Sequence, residues 1–490
     1  MEHNESNDGR VAGVTSTGLV GELAKFMLKD TPTNPDWCEN LACALIGAIA
    51  GSVDEGEERE IRNAFGKIRP NIFTIYIGAS RLGFKTVPLK TCVRPMLNRV
   101  TDTYNAKTCL ENGITKEEYD MRVFDCIKST AKERQSNDWK KEKAFLDKIG
   151  KQLVNFEAPE SFTSEGLTTW LTKHPHGMIA SDEFTNMFKG ASGKDYLANV
   201  METLSRLYDS EIEKKATISR GIEDVKNIHI CFASATTPYI LLLMSEEFFW
   251  QGTGNRILWI IDDSLIKIDI KEEENFADFF WNVEKSIENE NMFNELATHL
   301  AGIRNLPKGQ VLLDFNAQVE LNRFRIQMYN EAVELYMVDM MDKDSSFIAG
   351  LAQNAMKLAL IHCIGRYAMD VEIGAFGRML EVSGEDAVWA INKVKRHKEY
   401  YGKLWDLSNR ISKTTTKVYG VDQGRVLSII DKTEAIGKKM TANVLRQQTK
   451  WLTEDSQKLL DTMVANGVIE LVQLNVNGKA MMYYTRKKQA

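Results

Sequence analysis

Residues Ile75–Thr86 read IYIGASRLGFKT, a β-branched apolar run that breaks at Gly78 and leads through small residues to Lys85 and Thr86. A lysine and a threonine side by side after such a loop suit one chemistry, the holding of phosphates. Backbone N–H groups and the positive end of a following helix attract the anion, the ammonium reaches its outer oxygens, and the hydroxyl is a ligand for Mg²⁺. Gly78, Ser80, Gly83, Lys85 and Thr86 are therefore the expected phosphate-binding residues, with Thr86 also on the metal. The usual spacing is G-x-x-x-x-G-K-[ST]. Here Phe84 stands between Gly83 and Lys85, so the loop is one residue longer or its second glycine has moved, and Phe84 is expected to pack away while Lys85 reaches in.

Three further segments carry residues of matching chemistry. HGMIASDEF ends an apolar run at Asp182 and Glu183. In a phosphate-loop ATPase an aspartate at this place supports the metal shell and an adjacent glutamate polarises the attacking water. NIHICFASATTP ends in Ser234, Thr236 and Thr237, where a hydroxyl on the strand beside the acidic pair senses the outer phosphate, or simply caps a strand-to-turn transition. QGTGNRILWII sets Arg256 at the start of an apolar strand, either as an arginine finger on a neighbouring subunit's nucleotide or as a salt-bridging strand cap.

These residues need a scaffold. Ile72–Ile77, Gly177–Ser181, Asn227–Ala235 and Asn255–Ile261 are near-continuous apolar runs separated by helical stretches, the pattern of strands buried in a parallel sheet. Phosphate sites on such sheets lie at the carboxyl ends of the strands. Gly18–Leu28 and Pro35–Gly51 read as helices, a helix should follow Thr86 with Pro88 in its first turn, and Thr101–Gln152 reads as a charged helical insertion. Beyond Lys271 the chain is helical. FIAGLAQNAMKLALIHCIGRYAMD sets Lys357 among apolar residues, where it is either a lid residue reaching the nucleotide or a snorkelling cation.

The order GASRLGFKT, ESFTSEGL, GMIASDEF, KDYLANVMETLSRLYD, ICFASATTP, GTGNRILWI resembles a family of uncharacterised P-loop ATPases from viral, plasmid and prophage replication modules, from about Pro35 to the C-terminus. The resemblance implies a RecA/AAA-like core, ATP and Mg²⁺ as cofactors, a prokaryotic host cell, and a link to a primase-polymerase partner. It carries the metal role onto Asp182 and Thr86, catalysis onto Lys85, Glu183 and Arg256, the sensor onto Thr237, and a lid contact onto Lys357.

Composition bounds the rest. The chain has 490 residues, 43% of them hydrophobic, enough for several structural units. Seven scattered cysteines without a C-x-x-C pair argue against a zinc site or a disulfide framework and for a reducing compartment. The start, MEHNESNDGR, has no secretory character, and the Leu41–Gly51 run is too short to span a bilayer, so a cytoplasmic protein without a membrane partner is expected. Net charge is −6, unevenly spread: residues 411–490 carry thirteen Lys/Arg against seven Asp/Glu, leaving the remainder at −12. That basic segment reads as helices at Gly424–Lys432, Thr441–Gln448 and Thr453–Ala465, then strands at Val468–Leu474 and Lys479–Tyr484, the pattern of a winged helix. Gln457, Lys458, Lys479, Arg486, Lys487 and Lys488 are its expected DNA contacts, with Lys438, Lys439 and Arg446 secondary.

The expected architecture is α/β: a helical region at 1–60, a RecA/AAA-like P-loop core with a parallel sheet at 61–270, an α-helical collar at 271–415 and a C-terminal winged helix at 416–490. The expected activity is that of an ATP-driven DNA helicase or translocase, hexameric if Arg256 acts in trans. An ATP-switched origin binder and a DNA scaffold with a degenerate loop are the alternatives.

Overall fold

The computed structural model describes residues 13–29, 31, 33–51, 58–63, 66–79, 84–160, 164–184, 202–210, 215–217, 221–223, 228–242, 252–262, 283–338, 343–370, 379–435, 439–449, 457, 459–461, 463–464, 469–476 and 479–486. They form a mixed α/β protein of two compact units, Met1–Leu404 and Trp405–Ala490.

The first unit is built on five parallel strands: β1 Phe73–Ile77, β2 Glu157–Ala158, β3 His176–Ser181, β4 His229–Thr236 and β5 Ile257–Ile261. Their order is β2-β3-β4-β1-β5, so β1 lies between β4 and β5 although the chain visits β2 and β3 in between. Every residue of β1, β3, β4 and β5 is buried, which is why these segments read as unbroken apolar runs rather than alternating ones.

Among the described residues, α1 Gly18–Lys29 and α2 Pro35–Ala50 precede the sheet. Asn34 caps α2, its side-chain oxygen accepting from Asp36 N at 2.8 Å and Trp37 N at 3.4 Å, and Pro35 opens the first turn. The helix runs antiparallel to the strands. Trp37 near its start bonds the carbonyl of Lys85 beyond the carboxyl end of β1, Asn40 bonds Thr74 at 2.9 Å, and the Gly47 carbonyl meets His229 at the amino end of β4. Gly47 is required by this contact, since a Cβ there would lie 2.2 Å from the Pro70 carbonyl oxygen. Within the helical region expected at 1–60, α1 and α2 pack into the core.

After the loop, a π-turn Leu89–Val93 leads into α3 Arg94–Glu111, followed by α4 Lys116–Lys128 and α5 Asn137–Gly150, the helical insertion expected from the sequence. Four long helices complete the unit and enter the next: α6 Val283–Gly302, α7 Phe315–Val338, α8 Lys343–Met369 and α9 Gly384–Ala435. Asp344–Met369 has the length and composition of a membrane span, but 78% of its apolar window is buried inside the protein. Within the first unit α9 is fastened to α2 by charge: Lys393 Nζ lies 2.7 Å from Asp36 Oδ1 and bonds Glu39, while Glu39 Oε1 accepts from Thr15 N and Ser16 N at 2.7 Å each.

The second unit holds α10 Ala442–Thr449 and the antiparallel pair β6 Ile469–Val476 and β7 Lys479–Arg486. Val426, Ile430, Met440, Leu445, Leu460 and Tyr484 form its core, and Thr441 caps α10 by accepting from Val444 N at 3.3 Å. The separate helix expected at Gly424–Lys432 is instead the last part of the 52-residue α9, so the expected boundary at 415/416 falls inside a helix and the compact units divide at 404/405. No proline lies between Gly384 and Ala435, and the helix runs through Gly420 and Gly424, the glycines that suggest a break.

Candidate functional site

The strands that flank β1 end level with it: Ile77 pairs with Thr236 of β4 and Ile261 of β5, and Ser181 of β3 pairs with Ser234. Gly78 N donates to the Thr236 carbonyl at 3.1 Å, so the chain leaves β1 beside the end of β4. β1 and β4 are neighbours in space but not in sequence, and open parallel sheets take their ligands in the crevice position outside the carboxyl ends of such strands.

Lys85 returns into that crevice. Its backbone carbonyl accepts from Trp37 Nε1 at 3.0 Å, and its side chain is buried with Nζ 3.6 Å from Glu183 Oε2. No closer hydrogen-bond partner of that ammonium exists among the described residues. Burial pulls it below the usual lysine range against the opposing pull of Glu183. Glu183 is oriented from its other side, Oε1 accepting from Thr236 Oγ1 at 2.7 Å. Lys85, Glu183 and Thr236 therefore form a chain of one cation, one carboxylate and one hydroxyl.

Phe84 takes φ +45°, the left-handed region that favours glycine. The Val87 N–H then bonds the Phe84 carbonyl at 3.1 Å and the helix starts, with Lys90 N on the Thr86 carbonyl at 3.1 Å. A half-buried phenylalanine, not a glycine, therefore adopts this angle just before Lys85.

Asp182 faces two cations from the helix after the loop. Lys90 Nζ lies 2.8 Å from Oδ2 and Arg94 Nη2 3.1 Å from Oδ1. Arg94 also bonds the Ala180 carbonyl at 3.0 Å, pairs with Glu160 and lies 3.6 Å from Glu157, which ties the start of α3 to the ends of β2 and β3. Mg²⁺ takes hard oxygen donors, usually one or two carboxylates plus substrate phosphates. The Thr86 hydroxyl and the Asp182 and Glu183 carboxylates have that chemistry, and the buried, unbonded Lys85 ammonium fits a phosphate; a metal on Asp182 would take the place of Lys90 as its counter-charge. Among the described residues no group of three or more His, Cys, Asp or Glu side chains could hold a metal without such added ligands.

Other expected site residues lie elsewhere. Thr237, expected as the sensor, follows the strand and opens a 3₁₀ turn through its carbonyl; the hydroxyl that reaches Glu183 belongs to Thr236, one position earlier. Lys357 is buried at the opposite, amino end of the sheet, bonded to Asn71 Oδ1 at 2.8 Å, so it is not a lid residue on the Lys85 loop. Asn71 precedes β1 and Lys85 follows it, and the length of the strand separates them. Arg256 also sits at that amino end, its Nη2 2.7 Å from Asp209 Oδ2, so it does not meet Lys85 in its own chain.

Ser80, Gly83, Lys438, Lys458, Lys487 and Lys488 lie outside the described residues. Lys479 and Arg486 stand at the ends of β7, their side chains undescribed, while Gln457 Nε2 donates to Asp461 Oδ1 at 2.8 Å and to Tyr484 OH at 3.2 Å. Lys439 Nζ sits 4.7 Å from the Tyr483 ring centre, and Arg446 bonds its own helix.

Sequence reasoning named Thr236 among the strand-end hydroxyls but carried the sensor role onto Thr237, and it missed Trp37, Lys90 and Arg94 at this site. A signal existed for two of them: Thr86, Lys90 and Arg94 recur at i, i+4, i+8 and share one helix face. The Trp37 contact spans 48 residues and has no local signature.

No family model matches this sequence, and a search of curated proteins finds no match.

Proposed function

We propose that this chain is an ATP-hydrolysing P-loop protein with a RecA/AAA-like core that works on DNA for a mobile replicon, as a helicase or translocase. The observation that carries the proposal is the buried Lys85 ammonium, which among the described residues has no closer partner than Glu183, at the carboxyl ends of adjacent parallel strands. Three residues of complementary chemistry meet there from three separate segments, as phosphoryl transfer needs.

In this reading the γ-phosphate of ATP takes the free face of Lys85, which neutralises charge on its oxygens. Glu183 orients a water for in-line attack and accepts its proton; Thr236 holds that carboxylate in place. Thr86 and Asp182 would hold Mg²⁺, which supplies further neutralisation of the phosphates. Arg256 is remote from its own Lys85, so its catalytic role is in trans, on the nucleotide of the next subunit in a ring, expected to be a hexamer. A full-rate ATPase that sediments as a monomer, or an Arg256→Ala protein as active as wild type, would remove that part.

The second unit is read as a winged helix on DNA: helical segments, a two-stranded hairpin and a basic balance support it. The reading of a primase-polymerase partner and a prokaryotic host rests on the family resemblance alone. Nucleotide binding and DNA-stimulated ATP hydrolysis, measured for wild type and Lys85→Ala, test the whole. The expected result is loss of at least a hundredfold in turnover for Lys85→Ala. Wild-type protein that binds no nucleotide sinks the proposal.

A further inference from the structure

The amino end of the sheet, opposite the Lys85 loop, has a cavity of about 310 Å³. Lys67 and Arg69 reach it from the segment before β1, Lys357 from α8, and Asn71, Tyr208 and Asp209 complete the wall. Lys357 is 2% exposed. Its Nζ donates to Asn71 Oδ1 at 2.8 Å and to the Tyr208 carbonyl at 3.1 Å and lies 3.5 Å from the centre of the Tyr208 ring. Among the described residues no carboxylate comes within ion-pair distance of it: Asp209, on the same wall, is engaged by Arg256 at 2.7 Å. Buried cations are ordinarily paired, because neutral acceptors and a ring face only partly replace the lost water. Burial accordingly pulls the ammonium down to about 7.

Arg69 is a second, independent irregularity. Its Nε is buried and has no hydrogen bond among the described residues; Nη1 reaches the Ile228 carbonyl only at 3.4 Å, and Glu58 and Glu60 stand off at 3.7 and 4.0 Å. A guanidinium holds five donors in a fixed fork and normally fills them at shorter range when buried. Lys67 is half-exposed at the mouth, 3.3 Å from Glu60. A buried ammonium without a carboxylate, an under-filled guanidinium and a third cation at the rim thus converge on one cavity, from two separate elements.

We propose that this cavity binds a phosphate group, held by Lys357, Arg69 and Lys67 and separate from the Lys85 loop. A tetrahedral dianion offers acceptor oxygens to all three cations at once, whereas a planar carboxylate has one charge and two oxygens to share among them. The phosphate can come from a free phosphate compound or from the terminal phosphate of a nucleic acid, since both are dianions with at least three free oxygens; a backbone phosphodiester, with one charge and two free oxygens, falls short as a carboxylate does. The site stands independently of the ATPase reading.

The test uses the full chain with Lys85→Ala, which blinds the loop, and follows inorganic phosphate by calorimetric titration and thermal shift. The expected result is that phosphate still binds and stabilises this protein, and that Arg69→Gln or Lys67→Gln added to it weakens binding at least tenfold. Lys357→Met should do the same; if it fails to fold, the half-exposed Lys67 still decides the matter. Phosphate displaced by ATP points to a nucleotide, by oligothymidylate only when it carries a 5′-phosphate to a nucleic-acid end, and by neither to phosphate itself, and each supports the site. The proposal is overturned if Lys85→Ala alone abolishes phosphate binding, or if Lys67→Gln and Arg69→Gln leave it unchanged. A wild type without ATPase activity whose phosphate binding needs Lys67 would refute the ATPase reading and leave this site standing.

Discussion

Phe84 holds a left-handed backbone, φ +45°, immediately before the lysine that enters the crevice. For a bulky residue that conformation costs on the order of 1–3 kcal/mol, and it persists because the residues on either side demand it. The Trp37 indole fixes the Lys85 carbonyl, and the Val87 N–H takes the Phe84 carbonyl. Phe84→Gly should therefore keep nucleotide affinity within about threefold, since glycine adopts the angle freely. Phe84→Val should weaken it at least tenfold, because a β-branched side chain resists a positive φ. Fluorescence titration of a labelled ATP analogue against both variants checks this, and equal affinity for the two would show that the angle is not what places Lys85. Immediately before Lys85 the left-handed angle is thus carried by Phe84.

The element that couples the loop to the rest of the sheet is α2. Asn34 caps it, Trp37 holds the loop, Asn40 reaches β1, and Asp36 and Glu39 receive Lys393 from α9. Lys393 with its two carboxylates is a buried ion cluster whose value is positional, since desolvation offsets much of its attraction. Asn34→Ala removes the acceptor for two helix N–H groups and should cost about 1 kcal/mol of stability. Urea unfolding of the variant reads that loss directly; an unchanged midpoint would mean that Pro35 and tertiary packing hold the helix start without the cap. The helix itself was legible, with Trp37, Leu41, Leu45 and Ile49 on one stripe. Its job was not, because the stripe says that a face is buried and never says against what.

Over the whole first unit, buried histidines make stability depend on pH. His229 is held down to about 3 by burial and by His176 beside it, and His397, wedged between Asn40 and the Trp259 carbonyl, to about 4 by burial and by Lys393. Both are neutral in the fold, whereas unfolded histidine titrates near 6.5. Below about pH 6.5 the unfolded chain binds the extra protons, so stability falls, by about 2 kcal/mol per histidine at pH 5. Asp36 and Asp386, held near 2 with their pairing cations opposing burial, contribute above the normal carboxylate range and lose that contribution as pH falls from about 4 towards 2. A thermal midpoint that drops steadily from pH 7 to pH 5 is expected. A flat midpoint over that window would mean that these side chains gain protons without unfolding.

The sequence by itself determined the buried strands, the helix α2, the helical insertion and the acidic pair at the end of β3, because each is written in a local pattern of side-chain type and period. It also brought Lys85, Asp182 and Glu183 into one expectation through the order of their motifs. Tertiary structure decided the rest: the β2-β3-β4-β1-β5 order, Thr236 rather than Thr237 on Glu183, Lys90 and Arg94 on Asp182, and the placement of Lys357 and Arg256 at the far end of the sheet. The reason is geometric. A buried strand tells which residues lie in the sheet, but which end of it a helix or loop returns to depends on contacts between residues far apart in the chain, Lys357 with Asn71 or Trp37 with Lys85, and no local period encodes those.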